Sequence, residues 1–209
     1  MAIRLELKQT ERVLFCGSKW WGNPDMPENM EYPVIEINEG GEKYDYPLTF
    51  ICQINCEDLI QFDKEGRLPH EGMLYFFGLI DELLGYESPV RTVLGEWPKG
   101  RVMVKYAKTI NFETFQSRIL VDDESRELTD PELEIIFSEC DEEAPGMKLL
   151  GMPASDAEGE CIGNMVSLLQ TGADHIAGFE DRGWTSFNFL IKESDLKFGN
   201  WKKAIGFLR

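Results

Sequence analysis

The stretch GWTSFNFLIKESDL (Gly183–Leu196) restates one met earlier in the chain, GMLYFFGLIDELL (Gly72–Leu84). In each, a glycine stands four residues before a phenylalanine, and more apolar residues, an acid and a leucine follow. Each is preceded by another apolar run carrying a glutamine: LTFICQIN with Gln53, and MVSLLQ with Gln170. Both copies read as strand, connection, glycine turn, strand and acidic cap, over about 46–86 and 163–198. One hairpin cannot bury its apolar face alone, whereas two related hairpins bury theirs against each other. The repeat therefore predicts an internally duplicated sheet within one domain spanning 1–209.

Periodicity supports strands more than helices. LTFICQIN alternates, setting Leu48, Phe50, Cys52 and Ile54 on one side and Thr49, Ile51, Gln53 and Asn55 on the other. MLYFFGLI (Met73–Ile80) is apolar on both faces, as in the middle of a layered sheet. RVMVKYA groups Val102, Val104 and Tyr106, and WTSFNFLI groups Thr185, Phe187, Phe189 and Ile191. Helical signals are brief: CEDLIQF reads as a turn or two, and NFETFQSRIL as a short helix or an irregular strand.

Composition bounds the function classes. The chain has 209 residues, is 43% hydrophobic, and carries 38 acidic against 21 basic residues, for a formal charge of -17. Such a surface repels phosphate backbones, which argues against nucleic acid as a partner. The opening MAIRLELKQTERVLF has charges throughout and no apolar run of membrane-spanning length, so a cytoplasmic protein without membrane contact is expected. Five cysteines (Cys16, Cys52, Cys56, Cys140, Cys161) lack the paired spacing of a zinc ribbon or a disulfide scaffold and are expected reduced.

Catalytic templates are missing. His70 and His175 sit in no spacing with a mechanical meaning, and there is no phosphate-binding glycine loop and no nucleophile elbow. No cofactor, metal or catalytic residue is therefore assigned. The candidate binding residues are Ser18, Lys19, Trp20, Trp21 and Asn23 of SKWWGNP, where aromatic area meets polar donors in a glycine-proline loop. One of the two tryptophans is expected buried and the other partly exposed. Gln53 and Gln170 occupy equivalent strand positions, either lining a shared groove or satisfying backbone groups at strand ends. Asp181 completes the set as an acid near the second copy.

The order of segments SKWWGNPDMPENMEYP, PLTFICQIN, LPHEGMLYFF, KLLGMP and GFEDRGWTSFNFLIKESDL resembles the YwqG-like family of uncharacterised proteins, across roughly Ser18–Leu84 and Lys148–Leu196. Trp21 stands where that pattern has the first glycine of a pair, and the acidic segment 122–143 has no counterpart in it. The resemblance implies an α+β fold: a mixed, largely antiparallel sheet built by duplication, with few short helices. It implies no reaction.

Two functions follow as expectations. The first is a non-enzymatic binding protein, of immunity type or another interaction module, that engages a basic protein. Its docking surface would be 122–143, where eleven acids face one arginine. The second is a small-ligand protein or enzyme whose site lies between the two repeats, with Lys19, Gln53, Gln170 and Asp181 converging on one cleft. The sequence leaves the oligomeric state open.

Overall fold

The computed structural model describes residues 1–122, 124–153, 164–172, 177–179 and 183–209. The strands in the first half of the chain are β1 (Ala2–Lys8), β2 (Lys19–Trp20), β3 (Asp25–Pro27), β4 (Val34–Glu39), β5 (Glu42–Pro47), β6 (Thr49–Asn55), β7 (Met73–Gly78), β8 (Gly95–Glu96) and β9 (Val102–Ala107). They are followed by β10 (Phe115–Ser117), β11 (Leu133–Cys140), β12 (Lys148–Gly151), β13 (Met165–Gly172), β14 (Ser186–Lys192) and β15 (Ile205–Leu208). One short helix, α1 (Glu193–Lys197), and three single turns of 3-10 helix complete the elements among the described residues. No helix among them is long and apolar enough to cross a membrane.

Eleven strands form one sheet in the order β8-β15-β14-β13-β12-β1-β11-β2-β6-β7-β9, with antiparallel neighbours throughout. The sheet curls until its distant strands meet. Phe76 of β7 packs edge-on to Phe189 of β14 at 5.2 Å, and a Cβ on Gly206 of β15 would lie 2.8 Å from Val102 of β9. This corrects the α+β expectation: the molecule is 43% strand and 8% helix, with one large curled antiparallel sheet. The two helical signals contribute little, since CEDLIQF gives the single turn Cys56–Leu59 and NFETFQSRIL gives strand β10. Short apolar segments of this kind bury their side chains best by adding to a sheet, and nothing in them sustains a second helical turn.

The core has two compartments. The concave face of the sheet encloses Ile3, Leu5, Cys52, Ile54, Leu74, Phe76, Phe187, Phe189 and Ile191. On the opposite face of β6 and β7, Leu48, Phe50, Met73, Tyr75 and Phe77 pack under β3 and β10 with Met26 and Phe115. Burial on both faces explains the continuous apolar run of β7. In β6 the expected four-residue face divides, because the pairing register shifts between Phe50 and Cys52. One extra residue there turns every later side chain over. Leu48 and Phe50 consequently face the outer compartment, and Cys52 and Ile54 the inner one.

The two arms of the sheet run in parallel detail on either side of the central β1-β11 pair. Lys19 pairs with Gln53 and Gln53 with Tyr75; Lys148 pairs with Gln170 and Gln170 with Asn188. A register shift falls between Phe50 and Cys52 in one arm and between Ser167 and Leu169 in the other. Counted from these pairs, Phe76 matches Phe189 and Leu83 matches Leu196, both leucines being 3% exposed. The glycines of the two quoted stretches are then two residues out of step, since Gly72 lies three before Tyr75 and Gly183 five before Asn188. A shift of two preserves the faces of a strand.

Candidate functional site

The Ser18–Pro24 loop is held from beneath by a buried polar network. After β2, Trp21 (φ 58°) and Gly22 (φ 74°) take left-handed conformations, and the chain turns back so that Asp25 lies under Lys19. Asp25 is wholly buried. Its Oδ2 accepts from the Cys16 N–H (2.9 Å) and Gln53 Nε2 (2.9 Å) and meets Lys19 Nζ at 2.9 Å, while its Oδ1 accepts from Ser117 Oγ (2.6 Å). The Asp25 N–H donates to Gln53 Oε1 (2.8 Å), and its carbonyl accepts from the Tyr75 hydroxyl (2.7 Å). Lys19 Nζ also reaches Glu132 Oε2 at 3.1 Å.

A charge pair this deep is tolerated only because its remaining donors and acceptors are also satisfied. Gln53 uses both amide hydrogens, on Asp25 and the Gly17 carbonyl, and Lys19 directs its ammonium to Asp25 and Glu132, so both act as pins for the loop. Cys16 beside them is no nucleophile, since burial pushes its thiol up to about 11, with the Asp25 carboxylate adding to the effect.

The other predicted residues divide by location. Ser18 Oγ donates to Asp58 Oδ2 (2.7 Å) and accepts from the Asn55 N–H (2.9 Å). Trp20 and Trp21 are both buried, at 0% and 4% exposure, which corrects the expectation of one exposed ring. Their rings stack edge to face, and Trp21 Nε1 donates to the Ala177 carbonyl at 3.0 Å. Asn23 Nδ2 donates to Glu127 Oε2 (3.1 Å). Gln170 stands in the other arm with Lys148, its Nε2 donating to the Gly146 carbonyl (3.0 Å), so it does not join Lys19 and Gln53. Lys148 Nζ donates to the carbonyls of Glu142 and Ala144. Asp181, His175 and Cys161 lie outside the described residues. His70 stands 3.4 Å from Asp63 Oδ2, a carboxylate already used by the N–H groups of Arg67 and Leu68.

What the loop does form is one wall of a cleft of about 400 Å3. Trp21, Gly22, Asn23 and Pro24 line it together with Tyr32, 46–50, Asp81, Leu84, Tyr86 and Glu87, and with Arg118, Leu120 and 127–130 of a strap that crosses it. The strap is a hairpin closed by the Leu128 N–H to the Leu120 carbonyl (2.9 Å). It is tied to the loop by Thr129 Oγ1 donating to the Gly22 carbonyl (2.9 Å) and by the Gly22 N–H donating to the Asp130 carbonyl (3.1 Å).

In the cleft walls Arg118 Nε is buried without a hydrogen-bond partner, and Asp81 Oδ2 is buried with no well-aligned one, the Tyr46 hydroxyl standing near the carboxyl. Burial raises the Asp81 carboxyl above its ordinary range, offset in part by a backbone N–H, by Thr49 Oγ1 at 3.3 Å from Oδ1 and by Tyr46. Tyr32 and Tyr46 are also raised by burial and keep their protons. Arg118 Nη2 donates to the carbonyls of Pro27 (3.3 Å) and Glu28 (2.7 Å).

Sequence reasoning missed Tyr32, Tyr46, Asp81, Tyr86 and Arg118, which no local spacing marks. It also missed Lys148, for which a signal existed: Lys19-x-x-Gly22-x-Pro24 recurs as Lys148-x-x-Gly151-x-Pro153, and the residues before the two glycines, Trp21 and Leu150, both have φ 58°.

The family described as a domain of unknown function (DUF1963) matches residues 18–208, and the chain belongs to that family. No curated protein matches the chain.

Proposed function

We propose that this chain is a non-enzymatic binding protein, built from two copies of one sheet unit within a single domain, and that its ligand occupies the cleft beside the Ser18–Pro24 loop. The observation that carries the reading is the cleft itself. A concavity of about 400 Å3 with aromatic walls and a few polar groups left unpaired is the usual form of a small-ligand site. The matched register shifts of the two arms support the duplication. The finer assignment within the family is YwqG-like, on the order of segments quoted above. The unpaired cysteines Cys16, Cys52, Cys56 and Cys140 fit a reducing compartment such as the cytoplasm.

The charge of -17 favours a second reading, a basic protein partner of the kind an immunity protein neutralises. Segment 122–143 supports it less than its composition does. Asp122 and Glu124 pair with Arg126, Glu132 with Lys19, Glu134 with Arg12, Glu139 with Lys64, and Glu142 with the N-terminus. Acids so engaged have less charge to offer a partner.

Amide chemical shifts recorded against a mixed library of small polar and aromatic compounds test the first reading. Perturbations gathered on Trp21–Asn23, Tyr46–Phe50 and Asp81–Glu87 are expected. Perturbations elsewhere, or none, would remove it.

A further inference from the structure

The charges around the cleft are one-sided. Among the described residues Asp81, Glu87, Glu127 and Asp130 line it, against the single cation Arg118. Arg118 sits with its Nη2 committed to two backbone carbonyls, which holds the guanidinium in the wall. Among the described residues the Glu127 carboxylate accepts only from the neutral Asn23 amide, so no cation there cancels its charge. Glu87 and Asp130 are exposed, and their side-chain carboxylates make no hydrogen bond or ion pair with the described residues, although the Asp130 backbone carbonyl accepts from the Gly22 N–H. An anion entering here would meet four carboxyl groups and displace water from an Asp81 that is already poorly solvated.

The aromatic groups point the same way. Tyr32, Tyr46 and Tyr86 contribute to the lining, and Tyr86 is 59% exposed at the mouth. Tyrosine faces attract a cation through the ring quadrupole, an attraction that grows as water is excluded. An acidic rim around a recessed aromatic site also draws cations in from solution, the more so on a protein of charge -17.

We propose that the cleft takes an organic cation, an alkylammonium or alkylguanidinium group, with its charged end among Asp81, Glu87 and Asp130 and its alkyl stem along the tyrosines. This rests on the cleft being the binding site. The group has two possible sources, a free amine or the side chain of lysine or arginine in a basic protein, and the chemistry recognised is the same.

Calorimetric or NMR titration with four probes of equal stem tests it: butylguanidinium, butylammonium, butyrate and butanol. The cations are expected to bind at least about tenfold tighter than butyrate and to weaken as salt is raised. The double variant Glu87→Gln, Asp130→Asn, at exposed carboxylates that pair with no other described side chain, is expected to lose about fivefold in cation affinity and leave butanol unchanged. Butyrate or butanol binding as well as the cations would overturn the cation assignment and leave the cleft reading standing; binding by none of the four would remove both. A second arm compares butylguanidinium with the blocked tripeptide acetyl-Gly-Arg-Gly-amide. Tighter binding of the tripeptide supports the assignment with a protein side chain as the source, and tighter binding of the free cation supports it with a small amine.

Discussion

Asp81 opens a 3-10 turn at the edge of the cleft with one carboxyl oxygen on Thr49 and the other buried without a well-aligned partner, the Tyr46 hydroxyl standing nearby. Because burial raises its pKa, the folded chain holds this proton to higher pH than the unfolded chain does. Stability therefore falls as pH rises from the ordinary value of 3.8 through the raised one, and the penalty stays in place at neutral pH. Asp81→Asn keeps an acceptor for Thr49 and removes the charge. Urea denaturation between pH 3.5 and 7 is expected to show the variant gaining on the parent protein as pH rises, then holding a constant lead. A parent protein that is the more stable at pH 7 would contradict this.

Much at this scale was hidden from the sequence. Lys19 could be singled out from its tryptophan-rich glycine-proline loop and Gln53 from its counterpart Gln170, yet their partner Asp25 is inconspicuous among so many acids. Arg118 and Asp81, separated by a long stretch of chain, come to one cleft only through the fold.

At the level of elements, alternation revealed β6, β9 and β14, because a strand's faces are written in adjacent residues, and a run apolar on both faces revealed β7. The register shift in β6 was not legible, since one inserted residue leaves the letters alternating while reversing what they face. The repeat was legible in its parts and displaced by two residues in its alignment, as glycine was matched to glycine although the strand pairs differ.

The two glycines are also unlike in surroundings. A Cβ on Gly72 (φ +81°) would lie 2.1 Å from the Ala107 carbonyl oxygen and 2.6 Å from that of Lys108, backbone atoms that cannot yield. A Cβ on Gly183 (φ +84°) meets nothing within 4 Å. Gly183→Ala is expected to cost only the left-handed penalty, about 1–2 kcal/mol, and Gly72→Ala more than about 3 kcal/mol, the combined range for backbone strain and overpacking. Equal losses in chemical denaturation would show that the two turns are under the same constraint.

For the molecule as a whole, two arms with matching register shifts close a curled sheet around the inner compartment of the core, and residues of the first arm and its loops line the cleft. The helices expected from the family resemblance shrank to single turns because the chain's apolar segments are short and bury their faces by strand pairing. Charge was readable as a total, but its use was not: pairing consumes much of the acid within 122–143, while the carboxylates of Glu87 and Asp130, which pair with no other described side chain, line the cleft.

The five tryptophans supply the most direct test of the cleft as the binding site. Trp21 lines it, whereas Trp97 packs on Phe187 inside the curl and Trp201 on Tyr106 beyond β9. In 1H–15N spectra recorded during titration with butylguanidinium, the indole signal of Trp21 is expected to move and saturate, with Trp97 and Trp201 fixed. A fixed Trp21 signal, or equal movement of all five, would contradict the account.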